Sequence, residues 1–251
     1  MIKIKSFIND KLTLLILLVI ISIPFLSKVT ENSYYNLVLK EDISYTMTYV
    51  HLISAPFYVA SIEDQSLFSN KEERSFFIRT KQFLDSQNLS YNYSKAKNLD
   101  EFDYYQNNFT KICNTTIHEA NMSYYENKGV SFYNQHRKVD MLTTKMFFPL
   151  LKKNFKKWLV IVYKGFKKGL GRSHGILLLG LIFMLSILFL RYDLKSLSIF
   201  FLGILILKLT LHLLIAISVH SIHRYLFYFD WFIPMFLVII GDKVISLKKT
   251  I

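Results

Sequence analysis

The sequence predicts a mainly α fold: a helical integral membrane protein with about four transmembrane helices and a helical extracytoplasmic domain. Three observations predict it. Between residues 175 and 240 three long apolar stretches are separated by small charged knots. A fourth run, 12–26, is almost unbroken and follows Lys3, Lys5 and Lys11. Of 251 residues 52% are hydrophobic, with 22 Phe and 16 Tyr against 8 Gly and 4 Pro, a composition too apolar and aromatic for a disordered chain. Runs of this kind satisfy their backbone hydrogen bonds in hydrocarbon only as helices. The net charge of +13 would suggest nucleic acid in a soluble protein. Here much of the excess flanks apolar helices, so anionic lipid headgroups are the expected partner and nucleic acid is not. Cys113 is the only cysteine, so no intrachain disulfide forms, and neither a metal-ligand cluster nor a cofactor loop is present in the sequence.

The first run has the length of a signal-peptide core, yet no small-x-small pair precedes a cleavage point, because Phe25 sits two residues before Ser27. An uncleaved anchor over residues 1–27 is favoured. Residues 28–145 read as an extracytoplasmic, mainly helical domain. Within it, 46–62 carries His51, Pro56 and several hydroxyls, and reads as a buried or interfacial helix, with a span as the alternative. Ser69 and Glu72 have capping-box spacing ahead of Phe76, Phe77, Ile78 and Phe83. A second helix is expected from 99 to about 125. His118-Glu119 lacks the second His of a zinc helix and reads as surface polar residues. Five Asn-x-Ser/Thr triplets begin at Asn88, Asn92, Asn108, Asn114 and Asn121; in an Asn-rich stretch chance accounts for most, but all lie on the side where glycosylation occurs.

Residues 146–172 read as a basic amphipathic interfacial helix. Leu151, Phe155, Trp158, Leu159, Val162 and Phe166 fall on one helical face; Lys152, Lys153, Lys156, Lys157, Lys164, Lys167 and Lys168 fall on the other. The alternative is a helix packing its apolar face on the protein's own domain; Trp158 and the Lys density favour the lipid surface. Gly165, Gly169 and Gly171 loosen the end and let the chain turn into the next span. Residues 173–251 then form a three-helix membrane domain, with spans at 175–190, 197–219 and 225–240. In short loops, eight basic residues (Lys3, Lys5, Lys11, Arg191, Lys195, Lys243, Lys248 and Lys249) oppose Arg224 alone, which places both termini in the cytoplasm and residues 28–173 outside, in a bacterial inner membrane.

The last two spans form a hairpin with its apex near Ser221. His212 and Asp230 stand nine residues to either side, so both lie about 13 Å below the apex. Asp in hydrocarbon is costly unless paired, which makes His212 its expected partner, with Lys208 one turn deeper as a second candidate. At the mouth, Arg224 with His220 and His223 forms a cationic cluster suited to phosphate, and a guanidinium grips phosphate bidentately. The competing reading is a snorkelling Arg beside an aromatic belt that includes Tyr225, and on chemistry alone it is favoured.

His220, Arg224 and Tyr225, followed by Pro234 in an apolar helix, resemble the late membrane segment of polytopic GT-C glycosyltransferases that use polyprenyl-phosphate sugars. The long outer stretch closing with a helix at 148–158 is similar to that family's C-terminal part. The resemblance covers residues 140–245 and implies that Arg224 contacts a carrier phosphate, with Tyr225 beside it. Glu41 and Asp42, soon after the first span, are then the candidate catalytic acids. That family's enzymes carry many more spans, so this chain would be a detached C-terminal part or a subunit completed by a partner membrane protein. The alternative from another class is a non-enzymatic anchored protein whose outer domain binds an envelope partner.

Overall fold

In the computed structural model, residues 11–39, 47–189, 195–218 and 232–248 are described. The chain divides into two units, residues 1–46 and 47–251. The first contains α1 (Lys11–Tyr34), which closes in a π turn over Tyr35–Leu39. Helix α1 runs beyond the expected apolar run into a polar end, where Lys28 and Glu31 pair at 3.2 Å.

The second unit begins with α2 (Thr48–Val59), whose residues from Ile53 onward are all buried. Within segment 46–62 the helix Thr48–Val59 is thus a core helix of the domain. A 3₁₀ turn (Ile62–Leu67) leads to α3 (Lys71–Ser86). The cap of α3 is Asn70, whose side-chain oxygen accepts from the Glu72 and Glu73 amides at 2.8 and 3.3 Å, rather than Ser69. Phe76 and Phe77 point into the core while Phe83 stays on the surface. After α4 (Tyr91–Ala96), the helix expected over 99–125 is realised as α5 (Glu101–Thr110), a π segment (Lys111–Glu119) and α6 (Ala120–Glu126). Side chains support the wide turns: Thr116 Oγ1 donates to Lys111 O and Asn121 Nδ2 donates to Thr116 O, each five residues back.

Helices α7 (Phe132–Lys153) and α8 (Phe155–Gly169) follow. The single helix expected across 151–168 is therefore two. The break has a side-chain cause: buried Asn154 donates Nδ2 to Asp64 Oδ2 at 2.8 Å, and the same oxygen accepts from Ser61 N at 3.0 Å. Breaking helix regularity there satisfies a buried carboxylate. Helix α2 lies along α7, with Tyr49 edge-on to Phe147. Phe57, Phe76 and Phe77, fully buried between these elements, each contribute roughly 1.5–3 kcal/mol.

The chain continues into α9 (Arg172–Phe189), α10 (Lys195–Ser218) and α11 (Phe232–Lys248). The corner from α8 to α9 needs two glycines. Gly171 has φ +82°, and a Cβ on Gly175 would lie 1.6 Å from the Leu170 carbonyl oxygen. Leu179, Ile182, Phe201, Ile204, Leu205 and Phe236 form a second apolar cluster joining the three helices. Among the described residues there is no strand, and the fold is mainly α. By length and composition one described helix, over Ser198–Ser218, can cross a membrane; the apolar part of α9, Gly175–Ile187, is shorter. Many of the large apolar side chains of this bundle face outward, among them Leu177, Met184, Ile206 and Val238.

Candidate functional site

Glu41, Asp42, His220, His223, Arg224, Tyr225 and Asp230 lie outside the described residues. Lys208 and His212 are described, and both are buried in α10. The His212 ring is fixed between two backbone carbonyls: Nδ1 is 2.8 Å from Lys208 O on its own helix, and Nε2 is 3.0 Å from Gly169 O. A carbonyl oxygen only accepts, so a neutral ring satisfies one of these groups and a cationic ring both. Gly169 is the last residue of α8, where helix carbonyls lack partners and carry partial negative charge. His212 thus ties α10 to the end of α8, a role that its spacing from Asp230 did not reveal.

Helix α8 is the element where the domain meets the C-terminal helices, and it packs against α2, α5, α9 and α10. Its inward face is Trp158, Ile161, Val162 and Gly165. This differs from the expected apolar face because Leu159 and Phe155 lie off it. Its lysines divide into two sets. Lys164 Nζ contacts Asp100 Oδ2 at 2.7 Å and Glu101 Oε2 at 2.9 Å, and Lys168 Nζ contacts Asp103 Oδ1 at 2.6 Å. Those acids open α5, where Asp100 also accepts from the Phe102 and Asp103 amides. Burial opposes ionisation of Asp100, but Lys164 and the backbone N–H groups outweigh it and hold its carboxyl below the usual range. Lys164 likewise lowers Glu101, and its own ammonium is stabilised by Asp100.

The remaining face of α8 points to neither group. Phe155, Leu159, Val160 and Tyr163 are 49%, 46%, 42% and 62% exposed, values that leave an apolar strip uncovered. Around it stand exposed Lys152, Lys153, Lys156 and Lys167. None of these four has a carboxylate partner among the described residues.

Two further clusters bear chemistry-capable groups. Cys113 Sγ lies 3.4 Å from His51 Nδ1, the spacing of a thiol–imidazole pair. Burial pushes that thiol up to about 11 and shuts it in the core, so it is neither ionised nor reachable as a nucleophile. His118 Nε2 meets His136 Nδ1 at 3.2 Å, so His118 is half-buried and not a surface residue. Burial lowers the pKa of both rings, which suits a hydrogen bond needing one donor and one acceptor. Among the described residues no group of three or more His, Cys, Asp or Glu is arranged to hold a metal ion. Of the Asn triplets, Asn121 is removed as a glycan acceptor: it is 1% exposed and its amide nitrogen donates to Thr80, Ile117 and Thr116. No protein-family model matches the chain, and neither a characterised protein nor a solved structure matches it.

Proposed function

We propose that the chain is an integral membrane protein of the cell envelope in which α1, α9, α10 and α11 cross the bilayer, and that its outer domain rests on anionic headgroups through α8 and binds an envelope partner there. The observation that carries this reading is the uncovered face of α8: an exposed apolar strip accompanied by exposed Lys156 and Lys167 on α8 and Lys152 and Lys153 at the end of α7, directly before the apolar helix α9. An interfacial helix needs that composition, with apolar side chains entering the headgroup boundary and each nearby Lys adding about 1 kcal/mol toward anionic lipid. The outward apolar residues of α9 and α10 support embedding of the bundle itself. Both termini are cytoplasmic in this proposal, on the eight-to-one count of basic residues in short loops.

A place in lipid-linked-sugar chemistry is the narrower part of the proposal. It is supported by the His220, Arg224, Tyr225 and Pro234 pattern, with Arg224 meeting the carrier phosphate and catalysis completed by a partner subunit.

Single cysteines in a Cys113→Ser background test the main reading. A membrane-impermeant thiol reagent is expected to label Ser123→Cys from the outer side only. Spin labels at positions 159 and 163 are expected to collide more with oxygen, which concentrates in lipid, than with a water-soluble nickel chelate. Labelling of position 123 only from the cytoplasmic side overturns the orientation, and chelate-dominated collisions at 159 and 163 overturn the lipid contact.

A further inference from the structure

The groove between α3 and α6 carries a group that neither the membrane-facing surface nor the sequence motifs account for. Arg79 projects from α3 and its guanidinium lies 3.5 Å from the centre of the Tyr124 ring. Its Nε and Nη2 donate to Asn121 Oδ1 at 3.1 and 2.7 Å. Asn121 is itself held from behind, through its donations to Thr80 Oγ1 at 2.9 Å and Ile117 O at 3.0 Å. The guanidinium is therefore fixed in plane and position before any ligand arrives. An amide oxygen does not neutralise it, and its other partners, the Tyr124 and Tyr125 phenols, are not carboxylates either.

The surroundings reinforce its charge. Lys71 and Arg74 stand on the same side of α3 and line the cleft beside Arg79; Lys128, which follows α6, lines a second hollow that shares Lys71, Ser75, Arg79 and Tyr124 with it. Among the described residues none of these four cations pairs with a carboxylate, and the one acid at the rim, Glu72, is taken by Lys138 at 3.1 Å. A hydrogen bond from Lys128, with the charges of Arg79 and Lys128 beside it, draws the Tyr124 phenol below its usual pKa. The cleft has a volume of about 420 Å³, which suits a ligand of sugar or nucleotide size better than a bare ion. Ser75 and Gln82 supply neutral donors and acceptors along it.

We propose that this groove binds a phosphoryl group carried on a sugar-sized polar body, with the stacked Arg79 guanidinium as its fork and Arg74, Lys71 and Lys128 as flanking charges. Phosphate fits better than a single carboxylate because the guanidinium has three further cations around it, and a phosphate monoester offers two charges and three acceptor oxygens. The site is independent of Arg224 and of the lipid contact of α8. Its ligand has two possible sources with the same chemistry, a soluble sugar phosphate and a lipid phosphate headgroup.

Calorimetric titration of the full chain in a neutral detergent tests this, with inorganic phosphate, glucose 6-phosphate and dihexanoyl phosphatidic acid as probes and glucose as the uncharged control. At least one phosphorylated organic probe is expected to bind more tightly than inorganic phosphate, with no measurable binding of glucose. Preference for glucose 6-phosphate identifies a soluble source, and preference for phosphatidic acid a headgroup; either supports the site. Losing one charge-assisted contact in Arg79→Lys is expected to weaken binding about tenfold, since a point charge cannot reproduce the fork. Because Arg79 also braces Asn121, Arg74→Gln and Lys128→Gln serve as companion variants: both are exposed, leave the fold intact, and are expected to weaken the same probe and flatten its salt dependence. Absence of binding by all three phosphate probes to the unaltered chain overturns the proposal. So does binding that Arg74→Gln and Lys128→Gln leave unchanged.

Discussion

Arg224 is the residue at which one substitution separates two chemistries. If its guanidinium holds a carrier phosphate bidentately, Arg224→Lys impairs function nearly as much as Arg224→Ala; if it snorkels at the membrane surface, Lys replaces it with little loss. The expected outcome is loss in both, read by complementation of a deletion strain's envelope phenotype at matched protein levels, and full rescue by Lys removes the lipid-linked-sugar reading. Elsewhere at this scale, residue type told less than environment. Asn121 sits in a triplet that marks glycan acceptors, yet its amide is buried as the brace of Arg79. Nothing in the local sequence distinguishes it from Asn114, which is exposed, because a brace is defined by contacts some forty residues away. Asn70 displaced Ser69 as the cap of α3 for a local reason: both are good caps one residue apart, and spacing alone does not choose between them.

Among elements, the pairing of α5 with α8 is the one whose strength depends on pH. Lys164 bridges Asp100 and Glu101, and Lys168 reaches Asp103. Both carboxyls that meet Lys164 are depressed in the folded chain, so their stabilisation is complete above their unfolded values near 4 and is lost as pH falls through the folded ones. The Lys164 ammonium is raised, so its share is present below about 10.4 and is lost as pH rises through its folded value. The Lys164 side chain is 35% exposed, and screening limits the whole clamp to about 1 kcal/mol. Thermal unfolding of Lys164→Met is therefore expected to show a smaller loss of midpoint temperature between pH 5 and pH 3 than the unaltered chain, and equal slopes would refute the clamp. The existence of α8 and its basic character were legible from periodicity. Its division from α7 was not, because Asn154 breaks the helix to satisfy Asp64, ninety residues away. For the same reason the lysines read as one cationic face, whereas Asp100, Glu101 and Asp103 withdraw two of them toward α5.

For the whole molecule, the helical class was visible from composition and from long apolar runs. Such runs constrain secondary structure directly, since the backbone in hydrocarbon has few alternatives. The joint between domain and bundle was invisible, because it rests on a backbone carbonyl. His212 joins α10 to Gly169, and Gly171 and Gly175 let the chain turn tightly just beyond it. In the proposed membrane arrangement α10, with 24 residues and a length of about 36 Å, exceeds the ~30 Å of a typical hydrocarbon core, and the difference is taken up by leaning or by its last turn, where Ala216 joins the core of the domain. A thinner bilayer makes it lean further. Since the end of α8 is bonded to α10, α8 would be, in that arrangement, the short arm of a lever whose long arm is α10. In short-chain lipids, hydrogen exchange at the last turn of α8 is expected to quicken relative to long-chain lipids, and His212→Ala should abolish the difference. Equal exchange in both lipids for the unaltered chain would disconnect the two arms. With them connected, the proposed membrane arrangement would let the domain register the thickness of the bilayer.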